Sequence, residues 1–88
     1  MNVSDRTQEQ IEPQRQLLVD RETAASLVAV SVSTWDRLNA AGKTPAPVKL
    51  GGRVLWRTSD LELWTKLGCP DRGTFFALKD FEAKGRTQ

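Results

Sequence analysis

Residues 20–42, DRETAASLVAVSVSTWDRLNAAG, decide how this chain folds. Asp20 is a good helix N-cap: its carboxylate accepts from the free amides of a first turn and suits the positive end of the helix dipole. Ala24, Leu27 and Val28 follow at i, i+3 and i+4, which predicts a helix over 21–28 with those three residues inward. The pattern breaks at Ala29-Val30. Ser31 then offers a second N-cap, and Trp35, Leu38 and Ala41 begin a new stripe over 32–41. Gly42 is a natural stop, because it enters the left-handed region without steric cost. Two short helices meeting across so few residues have the spacing of a helix-turn-helix.

Downstream, Pro45 and Pro47 forbid helix and favour extended chain. Val48-Lys49-Leu50 and Val54-Leu55-Trp56 then flank Gly51-Gly52, a hairpin signal. A two-residue loop would put Val48 and Leu50 on one face but Val54 and Trp56 on the other. A three-residue loop, Gly51-Gly52-Arg53, aligns all four and is the expected register, with Lys49, Arg53 and Arg57 facing outward. Ser59 and Glu62 form an S-x-x-E capping box, so a third helix is expected from Asp60, with Leu61, Trp64 and Leu67 inward. Gly68 and Pro70 end it. Phe75, Leu78 and Phe81 predict a short final helix capped by Thr74 and frayed from Gly85, its stripe covering the protein's own core.

Upstream, Leu17-Leu18-Val19 reads as an extended lead-in, and residues 1–16 are polar enough to predict a disordered arm. The parts are thus an arm over 1–16, a domain over 17–68 and a C-terminal extension over 69–88. The expected fold class is mainly α with a small two-stranded β-hairpin, a winged helix-turn-helix with a short C-terminal helix. Trp35, Trp56 and Trp64 all fall on inner faces and are expected to form the core.

Composition removes whole classes of function. The chain has 88 residues, no histidine and one cysteine. Cys/His zinc sites and Ser-His-Asp or Cys-His centres therefore cannot be built. A lone Cys69 closes no internal disulfide, which suits a reducing compartment. No apolar run reaches the roughly 18 residues of a membrane span, and no signal peptide is expected in the polar start. Asp60/Glu62 and Asp80/Glu82 are i, i+2 pairs on different helix faces, so no acid–base pair is indicated. No enzyme activity, small-molecule substrate or cofactor is expected.

The net charge of +2 conceals an uneven distribution. Residues 1–19 and 20–30 each carry −1, and 59–88 balance. Residues 31–58 carry +4, from Arg37, Lys43, Lys49, Arg53 and Arg57 against Asp36 alone. A local basic stretch is the footprint of a phosphate-binding surface, although a merely solvated face would share it.

A helix entering the major groove needs a buried stripe, short polar residues at its N-terminus and cations that reach phosphate. The helix over 32–41 has all three. Ser31, Ser33 and Thr34 crowd its N-terminus, where free amides also suit a phosphate oxygen. Arg37 faces outward, toward a guanine edge or the backbone, and Lys43 is a phosphate anchor beyond the helix end. Asp36 is awkward beside phosphates; it accepts from cytosine N4 or holds Arg37 or Lys43. In the hairpin, Lys49, Arg53 and Arg57 supply charge, and Gly51 and Gly52 permit close backbone approach to a sugar-phosphate wall. A plain tight turn would use the same glycines.

The run Leu17 to Leu67 resembles the AlpA-type and excisionase-like regulators of phages and mobile elements, with their MerR-like winged helix-turn-helix domain. The resemblance rests on Glu22, Ala25, Leu27, Val30, Ser31, Thr34, Arg37 and Leu38, then on Pro45, Pro47, Leu50, Gly51, Gly52, Arg53 and Trp56. It ends on Ser59, Asp60, Leu61 and Trp64. It implies a second helix in the major groove, a wing on the flanking minor groove or backbone, and a role in transcription control or in directing recombination. Two departures stand out. Ala29 occupies a turn position where the family usually has glycine, and Trp35 replaces a smaller aliphatic residue.

The expected function is therefore sequence-specific binding of double-stranded DNA, by Ser31, Ser33, Thr34, Arg37, Lys43, Lys49, Gly51, Gly52, Arg53 and Arg57. An integrase or recombinase, or a second copy of the chain, is the expected further partner, and the expected location is the cytoplasm, at the nucleoid. The alternative is a winged-helix interaction module that docks on a recombinase, polymerase or packaging subunit without binding DNA itself.

Overall fold

A computed structural model describes residues 16–86. The arm expected over 1–16 lies, but for Gln16, outside the described residues, as do Thr87 and Gln88. The element order is β1 (Leu18–Val19), α1 (Arg21–Leu27), α2 (Val32–Ala40), β2 (Val48–Leu50), β3 (Arg53–Arg57), α3 (Thr58–Lys66) and α4 (Arg72–Arg86). The described chain is mostly helical, with one small antiparallel sheet in the order β1-β3-β2. None of its helices is long and apolar enough to cross a membrane.

The first two helices start where their caps predict. Asp20 Oδ1 accepts from the Thr23 amide at 2.9 Å, and Ser31 Oγ accepts from the Thr34 amide at 3.1 Å. Their ends share one chemistry. After α1 the amide of Ala29 donates to the Ser26 carbonyl and that of Val30 to the Ala25 carbonyl. After α2 Gly42 donates to Asn39 and Lys43 to Leu38, and after α3 Gly68 donates to Thr65 and Cys69 to Trp64. Each is the paired bond set that closes a helix through a left-handed residue. Gly42 (φ 72°) and Gly68 (φ 89°) adopt that conformation freely, whereas Ala29 adopts it at φ 64° with a Cβ to accommodate.

The core is a tryptophan cluster. Trp35 of α2 meets Trp56 of β3 edge-on at 5.3 Å between ring centroids, and Trp64 of α3 edge-on at 6.0 Å. Val19, Ala24, Ala25, Leu61 and Phe75 close around the three rings, all of them buried. Trp56 Nε1 donates to the Pro45 carbonyl at 3.0 Å and Trp64 Nε1 to the Pro70 carbonyl at 2.8 Å. Trp35 Nε1 is buried with no acceptor among the described residues.

Five expectations are corrected. The sheet has three strands, because the lead-in pairs with β3 (Leu18 with Arg57, Val19 with Trp56). The hairpin has the two-residue loop, since Leu50 pairs with Arg53 and Val48 with Leu55. Gly51 and Gly52 both have positive φ, the tight mirror-image turn whose twist matches the strands, and this overrides the alignment of apolar residues. Leu27 is 59% exposed, and Ala24 and Ala25 carry the inner face of α1 instead. The capping box at Ser59 does not form: α3 begins at Thr58 with no side-chain cap, and Thr58 Oγ1 donates back to the Gln16 carbonyl at 2.8 Å.

The fifth correction is α4. It is the longest helix among the described residues, continues through Gly85, and is capped by Asp71, whose Oδ1 accepts from the Thr74 amide at 2.8 Å. Of its predicted stripe only Phe75 is buried; Phe81 is 74% exposed, with Phe76 at 72% on another side. Lys79 crosses back to Asp60 on α3, Nζ to Oδ1 at 2.8 Å, and Asp60 is buried with Arg57 Nη1 at 3.6 Å from its other oxygen.

Candidate nucleic-acid interface

The Ser31 cap does more than start α2. Its Oγ lies 3.3 Å from Ser33 Oγ and donates to Thr34 Oγ1 at 3.0 Å, and Arg37 Nη2 donates to the same Thr34 oxygen at 3.3 Å. The structure thus brings Ser31, Ser33, Thr34 and Arg37 into one connected polar face, pre-arranged by residues three apart on a helix. Behind this face Trp35 is buried in the core, so the helix cannot rotate without tearing out its largest side chain.

Asp36 does not hold Arg37 or Lys43. Its Oδ2 accepts from Arg21 Nη1 across the turn between α1 and α2. Sequence reasoning missed Arg21 in this role, since the 15-residue separation leaves no local spacing signal. The pairing answers the objection to Asp36: its charge is compensated by a cation from the neighbouring helix.

The hairpin is arranged differently from expectation. The two-residue loop puts Lys49 on the face shared with Val54 and Trp56, and puts Arg53 and Arg57 on the opposite face with Leu50 and Leu55. The three cations therefore do not form one stripe. Arg53 Nη2 lies 3.8 Å from Asp20 Oδ2, and Arg57 Nη1 faces Asp60. Among the described residues, Arg37 and Lys49 have no carboxylate within ion-pair distance. Lys43 follows the glycine stop of α2, exposed, and its charge helps to lower the pKa of Asp71. A Cβ at Gly51 or Gly52 would meet nothing within 4 Å, so the tip is open and only the positive φ demands glycine there.

The pKa directions follow these contacts. The Thr23 amide does most to hold the Asp20 carboxyl below its ordinary value of 3.8, with the Thr23 hydroxyl and, more weakly, the Arg53 charge adding to it. The Thr74 amide does the same for Asp71, helped by the Thr74 hydroxyl and by Lys43. Among the described residues no cluster of three or more His, Cys, Asp or Glu side chains is placed to hold a metal. The arrangement can present hydroxyls, a guanidinium and dispersed cations to a polyanion. Comparison with protein-family models, curated proteins and solved structures found no match for the chain.

Proposed function

We propose that this chain is a non-enzymatic, sequence-specific double-stranded DNA-binding protein of the winged helix-turn-helix class. In this reading α2 enters the major groove and the β2–β3 hairpin is the wing on the flanking backbone. The observation that carries it is the connected Ser31–Ser33–Thr34–Arg37 face, standing on a buried Trp35, with the one acid of α2 paired to Arg21. Hydroxyls at a helix N-terminus with a neighbouring guanidinium match what phosphates and guanine edges accept. Lys43, in the loop joining α2 to the hairpin, and Lys49, on β2, act as phosphate anchors. Arg53 and Arg57 contribute less, because each already faces a carboxylate.

The biological role that fits is that of an AlpA-type or excisionase-like regulator of transcription or recombination. One nine-residue helix reads only a few base pairs, so tight binding calls for a second copy or a protein partner on adjacent DNA. The exposed Phe76 and Phe81 of α4 favour such a protein contact, and they also support the second reading, an interaction module without DNA binding of its own. Titration of a fluorescent duplex at low and moderate salt separates the two. The DNA reading requires affinity that falls steeply with salt, by a log–log slope of about −0.9 for each phosphate contacted. Absence of salt-dependent binding leaves the interaction module.

A further inference from the structure

Arg72, the first residue of α4, grips the loop that joins α2 to the hairpin. Its amide donates to the Gly42 carbonyl at 2.9 Å. Its Nε donates to the Thr44 carbonyl at 3.0 Å, and its Nη2 donates to Asn39 Oδ1 at 2.8 Å and to Thr44 Oγ1 at 3.2 Å. Thr44 is fully buried, and its Oγ1 lies 3.1 Å from each of two acceptors for its hydrogen, Asn39 Oδ1 and the Pro45 carbonyl. That carbonyl in turn accepts from Trp56 Nε1 on β3. A continuous polar path therefore runs from the last turn of α2, through Arg72 and Thr44, to the strand behind the hairpin tip.

We infer that Arg72 is a positioning residue for DNA, setting the distance between the α2 face and the hairpin; this rests on the DNA reading above. Two weak cationic surfaces on one chain reinforce each other only when their spacing matches that of the sites they occupy. A duplex presents its groove and its flanking phosphates at fixed spacing, so a loop held in one conformation lets both surfaces land together. A slack loop would have to be ordered at the moment of binding. Arginine suits this task because its planar fork addresses the Thr44 carbonyl and Asn39 at once; lysine has the charge but not the fork. Arg72 is itself none of the proposed phosphate contacts, although it holds Gly42 and Thr44 on either side of Lys43, so its effect is geometric and not a count of charges.

The test compares Arg72→Lys, which keeps the charge, with the parent chain, each with and without Lys49→Ala. Affinity for a labelled duplex is measured across a salt series, and folding is followed by tryptophan fluorescence at the same temperature. In the parent, Lys49→Ala should flatten the salt slope by about one unit. In Arg72→Lys the affinity should fall about tenfold, and Lys49→Ala should then change the slope by less than about half a unit, because the hairpin no longer lands. Thr44→Val, nearly isosteric, carries the same comparison if Arg72→Lys is unfolded at the assay temperature. An undiminished Lys49→Ala effect in the folded variant overturns the role of Arg72 while leaving DNA binding intact. A parent chain that shows no salt-dependent binding overturns the DNA reading itself, and this inference with it.

Discussion

The α2 face and the β2–β3 hairpin draw on the same basic stretch of sequence, yet the fold treats their charges in opposite ways. On α2 the single acid is taken by Arg21 from the preceding helix, leaving Arg37 bonded only to a hydroxyl. On the hairpin two of three arginine and lysine side chains face acids from outside the stretch, Asp20 and Asp60. A block charge of +4 is therefore not the charge available to a ligand. The helix presents a connected polar surface, and the hairpin presents one uncommitted cation, Lys49, beside two that are shared. The Arg53–Asp20 pair is exposed and therefore weak, so phosphate can compete for Arg53, but at some cost.

The largest effect should come from removing the anchor of the helix side. Trp35→Ala deletes the ring that touches both Trp56 and Trp64 and should destabilise the domain by about 3 kcal/mol, read by thermal or urea unfolding. The value belongs at the lower end of the aromatic range because the orphaned Nε1 goes with the ring. On the hairpin side Leu50→Ala, at an exposed tip, should cost under about 1 kcal/mol. Equal losses would mean that the two regions are anchored alike.

Next in size is base preference. Arg37→Ala should relax discrimination at particular base pairs by about 1–3 kcal/mol, measured on a panel of single-base duplex variants. Uniform weakening across the panel would reduce Arg37 to a phosphate contact. A smaller effect tests strain without touching the surface: Ala29→Gly should stabilise the fold by up to about 1 kcal/mol, since relief of the left-handed Cβ exceeds the entropic cost of glycine. DNA affinity at a temperature where both are folded should be unchanged.

The hairpin predictions are smaller again. Lys49→Ala should flatten the salt slope by about one unit and Arg53→Ala by about half that, because Arg53 exchanges Asp20 for phosphate. Equal slopes would erase the distinction between committed and free cations. Asp20→Asn keeps a cap oxygen and removes the counter-charge, so it should steepen the slope slightly. The same variant tests a pH effect. Asp20 has a folded pKa below 3.8, so the unfolded chain binds more protons between the two values. Its contribution to stability is complete above 3.8 and is lost as pH falls through the lower folded value; Asp20→Asn should lack that loss in acid unfolding curves.

What the sequence made legible was local. Asp20, Ser31, Gly42 and Gly68 act within one turn of their own positions, and the structure uses each as its chemistry suggests. The grouping of Ser31, Ser33, Thr34 and Arg37 is legible for the same reason, since helical spacing alone assembles it. The hairpin register was misread because alternation of apolar residues argued for one loop length, and the paired left-handed glycines argued more strongly for another. Arg21–Asp36 and Arg72–Asn39 were not legible, because contacts across 15 and 33 residues leave no spacing to read. The outer residues of α4 followed a core-like period without a core to meet, so Phe81 stands in solvent.

Selection of bound sequences from random duplex DNA tests the central claim most directly. The account predicts a short recovered motif, repeated at a fixed spacing if two copies bind, with positions that lose preference when the selection is repeated with Arg37→Ala. Recovered sequences that remain random, from a protein whose tryptophan emission shows it folded, would contradict it.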